Sequence, residues 1–204
     1  MRILLCISGA SLVNLGLKLI PHIKKENELF VVLSKNAKIV LEKENNQILN
    51  ENNYKDVKFF DDDNIFEGPA SGSFKIDKTI IAPCSINTLA KIYSGICDTL
   101  ITRAAAVALK ERKKLILCVR EMPFSTISLK QMYELSSQGV IISPPVLGSY
   151  AGFKNILEIE NFILGKWLDL LDIKNEIYKR WEIWEELAYI LEPLILLQTD
   201  ISML

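Results

Sequence analysis

The order in which apolar residues fall along this chain restricts its fold more than any other feature. Short runs of Ile, Leu, Val and Phe at residues 2–8, 29–33, 57–60, 79–82, 115–119 and 140–142 alternate with segments whose apolar residues recur at helical spacing. Those helical segments lie at about 12–23, 35–44, 86–93, 98–112, 128–138 and 155–171. Apolar runs without polar alternation read as strands buried on both faces. Helices between successive strands imply right-handed crossovers and parallel pairing. The expected architecture is α/β, a three-layer sandwich with one parallel sheet and helices on both faces. Pro21 is expected to kink or shorten the first helix, and 175–190 reads as one more helix at the C-terminal end. Residues 61–78 hold three aspartates and a cluster of turn formers, which reads as a surface or active-site loop. At 204 residues and 50% hydrophobic, the chain fits one domain over 1–204 with a packed core.

Charge and composition remove several function classes. Lys and Arg number 24 against 25 Asp and Glu, so there is no basic excess of the kind a nucleic-acid binder carries. No apolar run approaches the roughly 18 residues of a membrane span. The first apolar run is too short for a signal peptide, so a cytoplasmic protein is expected. Cys6, Cys84, Cys97 and Cys118 include no C-x-x-C pair, and His22 is the single histidine. Neither a metal site nor a Ser-His-Asp triad is expected.

Ligands of parallel sheets bind beyond the carboxyl ends of the strands. The segments expected there are Ser8-Gly9-Ala10-Ser11, Ser34-Lys35, Pro83-Cys84-Ser85, Arg120-Glu121-Met122-Pro123 and Ser143-Pro144-Pro145. Gathered at one edge, they make a pocket for an anion. The small Gly9-Ala10-Ser11 turn lets a phosphate approach a helix N-terminus; it reads equally as a tight turn with Ser11 as N-cap. The G-x-G-x-x-G fingerprint is absent, which favours a mononucleotide over a dinucleotide. Arg103 and Lys110 stand seven residues apart, on one helix face across a run of alanines, as a cation pair or as a solvated face. Arg120-Glu121 offers a bidentate anion contact and a proton carrier, or an internal ion pair. Cys84 could serve as a nucleophile but, with no second histidine or evident base, reads as a small packing residue; His22 reads as a surface or helix-packing histidine. Trp167, Trp181 and Trp184 read as contacts to the core or to another subunit. Nothing local links Tyr150 to Lys166.

In order along about residues 3–170, these segments resemble the UbiX-type flavin prenyltransferases. The resemblance rests on Gly9-Ala10-Ser11, Ser34-Lys35, Glu44, Pro69 to Ser73, Pro83-Cys84-Ser85 with Thr88-Leu89-Ala90, Arg103-Ala104-Ala105, Ala108 to Arg112, Arg120-Glu121 with Pro123, Gly139, Pro144-Pro145 and Tyr150. It implies a Rossmann- or flavodoxin-like fold and a transferase that joins a dimethylallyl group from dimethylallyl phosphate to N5 and C6 of reduced FMN. The product, prenylated FMN, would pass to a UbiD-type decarboxylase. Gly9, Ala10, Ser11, Ser34, Ser85, Ile86, Asn87, Thr88 and Arg120 would hold FMN. Arg103, Lys110, Tyr150 and Lys166 would hold the dimethylallyl phosphate. Ser11, Glu44, Lys110 and Glu121 would be catalytic, with no metal. The resemblance also implies a homo-oligomer, a dodecamer with shared sites, in whose packing the helices at about 155–190 take part. Leu12 stands where the family has a second glycine, and Ala106 where it often has aspartate. The second reading is an FMN-dependent cysteine decarboxylase of the same superfamily, but those enzymes use an active-site histidine and a Pro-x-Met-Asn segment, and the matching loop here is Met122-Pro123-Phe124-Ser125. A third reading, a non-catalytic flavin-binding subunit, would have lost the cations.

Overall fold

The computed structural model describes residues 1–181. Its strands are β1 (Arg2–Ile7), β2 (Glu28–Leu33), β3 (Val57–Asp61), β4 (Lys78–Cys84), β5 (Lys114–Val119) and β6 (Ile141–Ile142). Its helices are α1 (Val13–Ile23), α2 (Lys35–Asn45), α3 (Ile86–Tyr93), α4 (Leu100–Lys110), α5 (Thr126–Ser137) and α6 (Ile156–Leu170). All strand pairs are parallel, in the order β3-β2-β1-β4-β5-β6. The chain therefore winds outward from β1 in one direction and from β4 in the other. A right-handed crossover then puts the two sets of helices on opposite faces. One core layer joins the sheet to α1, α6 and the inner face of α2; the other joins it to α3, α4 and α5. Both layers are built from strand side chains at alternating positions, such as Ile3, Leu5 and Ile7 on one face and Leu4 and Cys6 on the other.

Where the elements differ from the sequence reading, local hydrogen bonding decides. α5 begins at Thr126, two residues early, because the Ser125 side chain caps it by accepting from the Ser128 N–H. Pro21 lies in the last turn of α1, and the helix runs two residues past it. Residues 61–78 are irregular apart from two short 3-10 turns, but Lys78 already belongs to β4. Residues 175–181 are not helical. Asp169 of α6 instead accepts from the Asn175 amide, the Tyr178 hydroxyl and the Arg180 guanidinium, and so folds that segment back. Tyr178 lies against Gly165, where an added Cβ would come within 2.0 Å of its ring. The remainder of the expected helix, with Trp184, lies outside the described residues. Trp167 is 1% exposed in the core, and its indole N–H donates to the Ser143 carbonyl.

The free carbonyls at the end of α6 are met by two lysines from the starts of β4 and β5. Lys78 donates to Leu171 O at 2.5 Å and to Asp172 Oδ2 at 2.7 Å; Lys114 donates to Leu170 O at 3.1 Å and to the same Oδ2 at 2.6 Å. The hydrogen bond from Lys114, followed by that from Lys78, holds the Asp172 carboxyl at about 2, below its ordinary 3.8. A carboxyl lowered on folding adds stability above its unfolded value, and that contribution fades as pH falls through the folded value. Asp172→Asn should therefore be less stable than the wild type near neutral pH. The difference in denaturant midpoint should shrink below about pH 4 and vanish near about pH 2; a difference that persists at the acid end would contradict the assignment.

Candidate active site

The winding reverses between β1 and β4, and there the turns that follow the two strands part. Ser8, 1% exposed, ties them together: its Oγ donates to Pro83 O at 3.0 Å and accepts from the Ser85 N–H at 2.8 Å. Next to it α2 lies across the turn after β1. Its first turn crowds Gly9, where an added Cβ would fall 2.4 Å from the Asn36 Cβ. Its last turn brings Glu44 to Ser11, whose Oγ donates to Glu44 Oε2 at 2.9 Å. Ser11 is therefore not the N-cap of α1. Leu12 takes that place in the left-handed conformation, φ 78°, with no side-chain cap. Glycine adopts that backbone freely, whereas a leucine there costs roughly 1 kcal/mol.

Gly9, Ser34, Ser85, Asn87 and Thr88 line one cavity of about 250 Å³ with Lys35, Asn36, Asp62, Asp63, Lys91 and residues of the first turn of α4. The N-terminal ends of α2, α3 and α4 all point into it. Ser34 caps α2 through the Ala37 N–H, and Ser85 caps α3 through the Thr88 N–H. The N–H groups of Lys35, Asn36, Ile86 and Asn87 have no intrahelical partner and stay available to an anion. A phosphate fits this donor set, and the absence of a side chain at Gly9 lets the first turn of α2 close on the turn after β1.

The sequence reading passed over Asp62. This residue is 5% exposed; its carbonyl accepts from the Leu100 N–H and its Oδ1 from the Ile101 N–H, both at 2.8 Å. Thr99 takes the next two donors, of Thr102 and Arg103. The first turn of α4 is thus satisfied from within, so α2 and α3 remain as the ends open to an anion. Burial raises the Asp62 carboxyl, and the Ile101 N–H works against that rise. The signal in the sequence was an acid directly after a strand of a parallel sheet, hidden in a run of three.

The remaining expected residues do not join this cavity. Arg120 and Glu121 follow β5 at the same edge and are exposed; the Arg120 N–H donates to Cys84 O, and Glu121 accepts from the Met122 N–H. Arg103 sits in the first turn of α4 with its Nε on Ala70 O at 3.1 Å. Lys110 sits in the last turn, paired with Glu111, beside the starts of β5 and β6. Tyr150 and Lys166 lie on the other side of the sheet. Tyr150 meets the Phe162 ring at 5.8 Å and the Trp181 ring at 5.1 Å, both edge-on. Lys166 lines a cavity of about 280 Å³ with Pro144, Pro145 and Trp167. Within one chain the sheet therefore separates Arg103 and Lys110 from Tyr150 and Lys166. His22 lies in the last turn of α1, six residues before β2 and away from the cavity. Cys84 is fully buried, and burial pushes its thiol far above the ordinary range. Among the described residues no group of His, Cys, Asp and Glu is placed to hold a metal ion, and no helix is long and apolar enough to cross a membrane.

The family model described as Flavoprotein matches residues 1–168. The chain is 56% identical over 185 residues to "Flavin prenyltransferase UbiX" of Campylobacter jejuni, covering 89% of this chain and 99% of the relative. Among solved structures it is similar to AnUbiX (PadA1) in complex with FMN and dimethylallyl pyrophosphate, at 36% identity and a TM-score of 0.85, over 90% of this chain and 98% of that one. It is also similar to a dodecameric FMN-dependent UbiX-like decarboxylase from Escherichia coli O157:H7, at 33% identity and a TM-score of 0.85, over 90% and 100% of the two chains.

Asp62→Ala should lower stability by about 1–3 kcal/mol, because it strands the buried Ile101 N–H. Asp62→Asn keeps an acceptor at Oδ1 and should lose less than half as much. Urea denaturation of the three proteins decides, and equal losses for the two variants would remove the α4 anchor from the account.

Proposed function

The chain belongs to the UbiX flavin prenyltransferase family, and on that premise we propose that it joins the dimethylallyl group of dimethylallyl phosphate to N5 and C6 of reduced FMN. The observation that carries the reading is the cavity at the β1/β4 reversal, with four unspent N–H groups on α2 and α3 and no side chain at Gly9. Gly9, Ala10, Ser11, Ser34 and Ser85 to Thr88 hold the flavin through its phosphate end, with Arg120 at the rim. The cavity of about 250 Å³ would take the phosphate end of so large a group. Reduced FMN, when bound, supplies the nucleophilic ring atoms, so the protein needs neither a nucleophilic side chain nor a metal.

The chain's own residues then manage charge and protons. Departure of the allylic phosphate puts negative charge on its oxygens, and fixed cations at Arg103, Lys110 and Lys166 stabilise that growing charge. Ser11 is oriented by its hydrogen bond to Glu44 and would offer its hydroxyl to the flavin. Glu44 and Glu121 would take up the proton displaced by the first bond, deliver one to the allyl double bond so that the second can form, and pass the proton displaced by ring closure to the departing phosphate. Tyr150, flanked by Phe162 and Trp181, keeps water from the allyl cation.

Because the sheet divides the cations within one chain, the site is completed across a homo-oligomer. Copies bring Arg103 and Lys110 of one chain toward the flavin cavity of another, in a dodecamer like that of the Escherichia coli structure. Helix α6 takes part in that packing. The product would pass to a UbiD-type decarboxylase, and the protein would work in the cytoplasm. The cysteine decarboxylase reading is less supported, because His22 lies far from the cavity and the Met122-Pro123-Phe124-Ser125 loop lacks the asparagine.

Incubation with FMN, a reductant and dimethylallyl phosphate should yield a flavin heavier by one prenyl unit in the mass spectrum; unchanged FMN would refute the activity. Lys110→Ala should load FMN normally yet turn over about 100- to 1,000-fold more slowly. Glu121→Gln should also load flavin and be slow, and wild-type rates in either variant would strike that residue from the mechanism.

A further inference from the structure

Beneath α4 lies a second cavity, of about 370 Å³, at the opposite end of the sheet from the flavin cavity. Its floor is Leu4 and Thr79, the middle of a row in which Phe30, Leu4, Thr79 and Leu115 stand side by side across β2, β1, β4 and β5. Thr79 is the one polar member of that row. It is 1% exposed, and its hydroxyl enters none of the side-chain hydrogen bonds among the described residues. Above it α4 presents Ala104, Val107 and Ala108, too small to fill the space. The far wall is the segment around Pro69 and Ile76. Two ties fasten α4 to this segment: Arg103 Nε on Ala70 O, and Glu111 packed where a Cβ at Gly72 would come within 2.4 Å of it.

The charges at the mouth are not equivalent. Asp77 accepts from the Arg2 N–H, and Glu111 is paired with Lys110. Lys75 and Lys113 are exposed and in no ion pair among the described residues. The small residues of α4 leave this recess open to an occupant, and a hydroxyl that faces it without a side-chain partner is free to bond one. Walls, depth and mouth therefore ask for three things of one occupant: an apolar middle, a hydrogen-bonding end and an anionic head. Two separate ammonium groups hold a carboxylate as point charges; the planar fork that favours bidentate phosphate recognition is absent at this mouth.

We propose that this cavity binds a small hydroxy acid, its carboxylate between Lys75 and Lys113, its hydrocarbon under Ala104 and Ala108, and its hydroxyl on Thr79. A ligand seated there fills the gap between α4 and the segment to which α4 is tied. It would thus steady the helix that carries Arg103 and Lys110. That last consequence rests on the function proposed above; the binding itself does not.

The test uses the full chain loaded with FMN and titration calorimetry with 6-hydroxyhexanoate and hexanoate. The hydroxy acid should bind with a dissociation constant of about 1 mM or lower, and about tenfold more tightly than hexanoate. Thr79→Val should erase that preference, and Lys113→Ala should weaken both acids. Thr79→Val should melt no lower than the wild type, since it removes an unpaired hydroxyl without changing shape. Failure of both acids to bind at about 10 mM, a preference that survives in Thr79→Val, or a lower melting point for that variant would each overturn the proposal. Loss of prenyl transfer with intact binding would instead count only against the assigned function.

Discussion

The organisation of this protein depends on where backbone N–H groups at the carboxyl edge of the sheet are spent. Three helices, α2, α3 and α4, aim their N-terminal ends at one cavity, and each brings donors that its own turns cannot use. Asp62 and Thr99 consume those of α4. Ser34 and Ser85 consume one each and leave the first two N–H groups of α2 and α3 open. The outcome is a directional anion site built from main chain, with side chains deciding which helix ends contribute. Gly9 belongs to the same arrangement, because a side chain there would collide with Asn36 before any ligand could arrive.

Much of this was legible in the sequence. Strands buried on both faces appear as unbroken apolar runs, and the small-residue turns after β1 and β4 announce the edge where ligands bind. What escaped reading depends on partners distant in sequence. Asp62 looks like part of an acidic loop until β3 is placed beside α4. Ser11 looks like an N-cap until Glu44, thirty-three residues on, takes its hydroxyl. Residues 175–181 have helical spacing, but Asp169 outbids the helix by collecting Asn175, Tyr178 and Arg180. Pro21 gives up the bond its nitrogen would make to the Leu17 carbonyl, yet α1 runs on two residues to Ile23 and ends there.

The separation of the cations is of a different kind, since it follows from topology rather than from any contact. Once the strands are ordered β3-β2-β1-β4-β5-β6, the handedness of crossovers forces α1 and α4 to opposite faces. Arg103 and Lys110 then share a face with α3 and α5, while Tyr150 and Lys166 share one with α1. No side-chain rotation can bring the two sets together through a packed sheet. A chemistry that needs all four must draw them from more than one copy.

The surface of the chain bears the marks such sharing requires. Met122 is 90% exposed beside Arg120 and Glu121, and Trp181 is 65% exposed at the edge of Tyr150. Large apolar groups exposed on both sides of the sheet are poorly placed for a monomer in water and well placed to be covered by a neighbour. Covering them would also dry the space where an allyl cation must survive. On the assembly proposed above, association and water exclusion would fall on the same residues, and both would follow from one distribution of apolar surface.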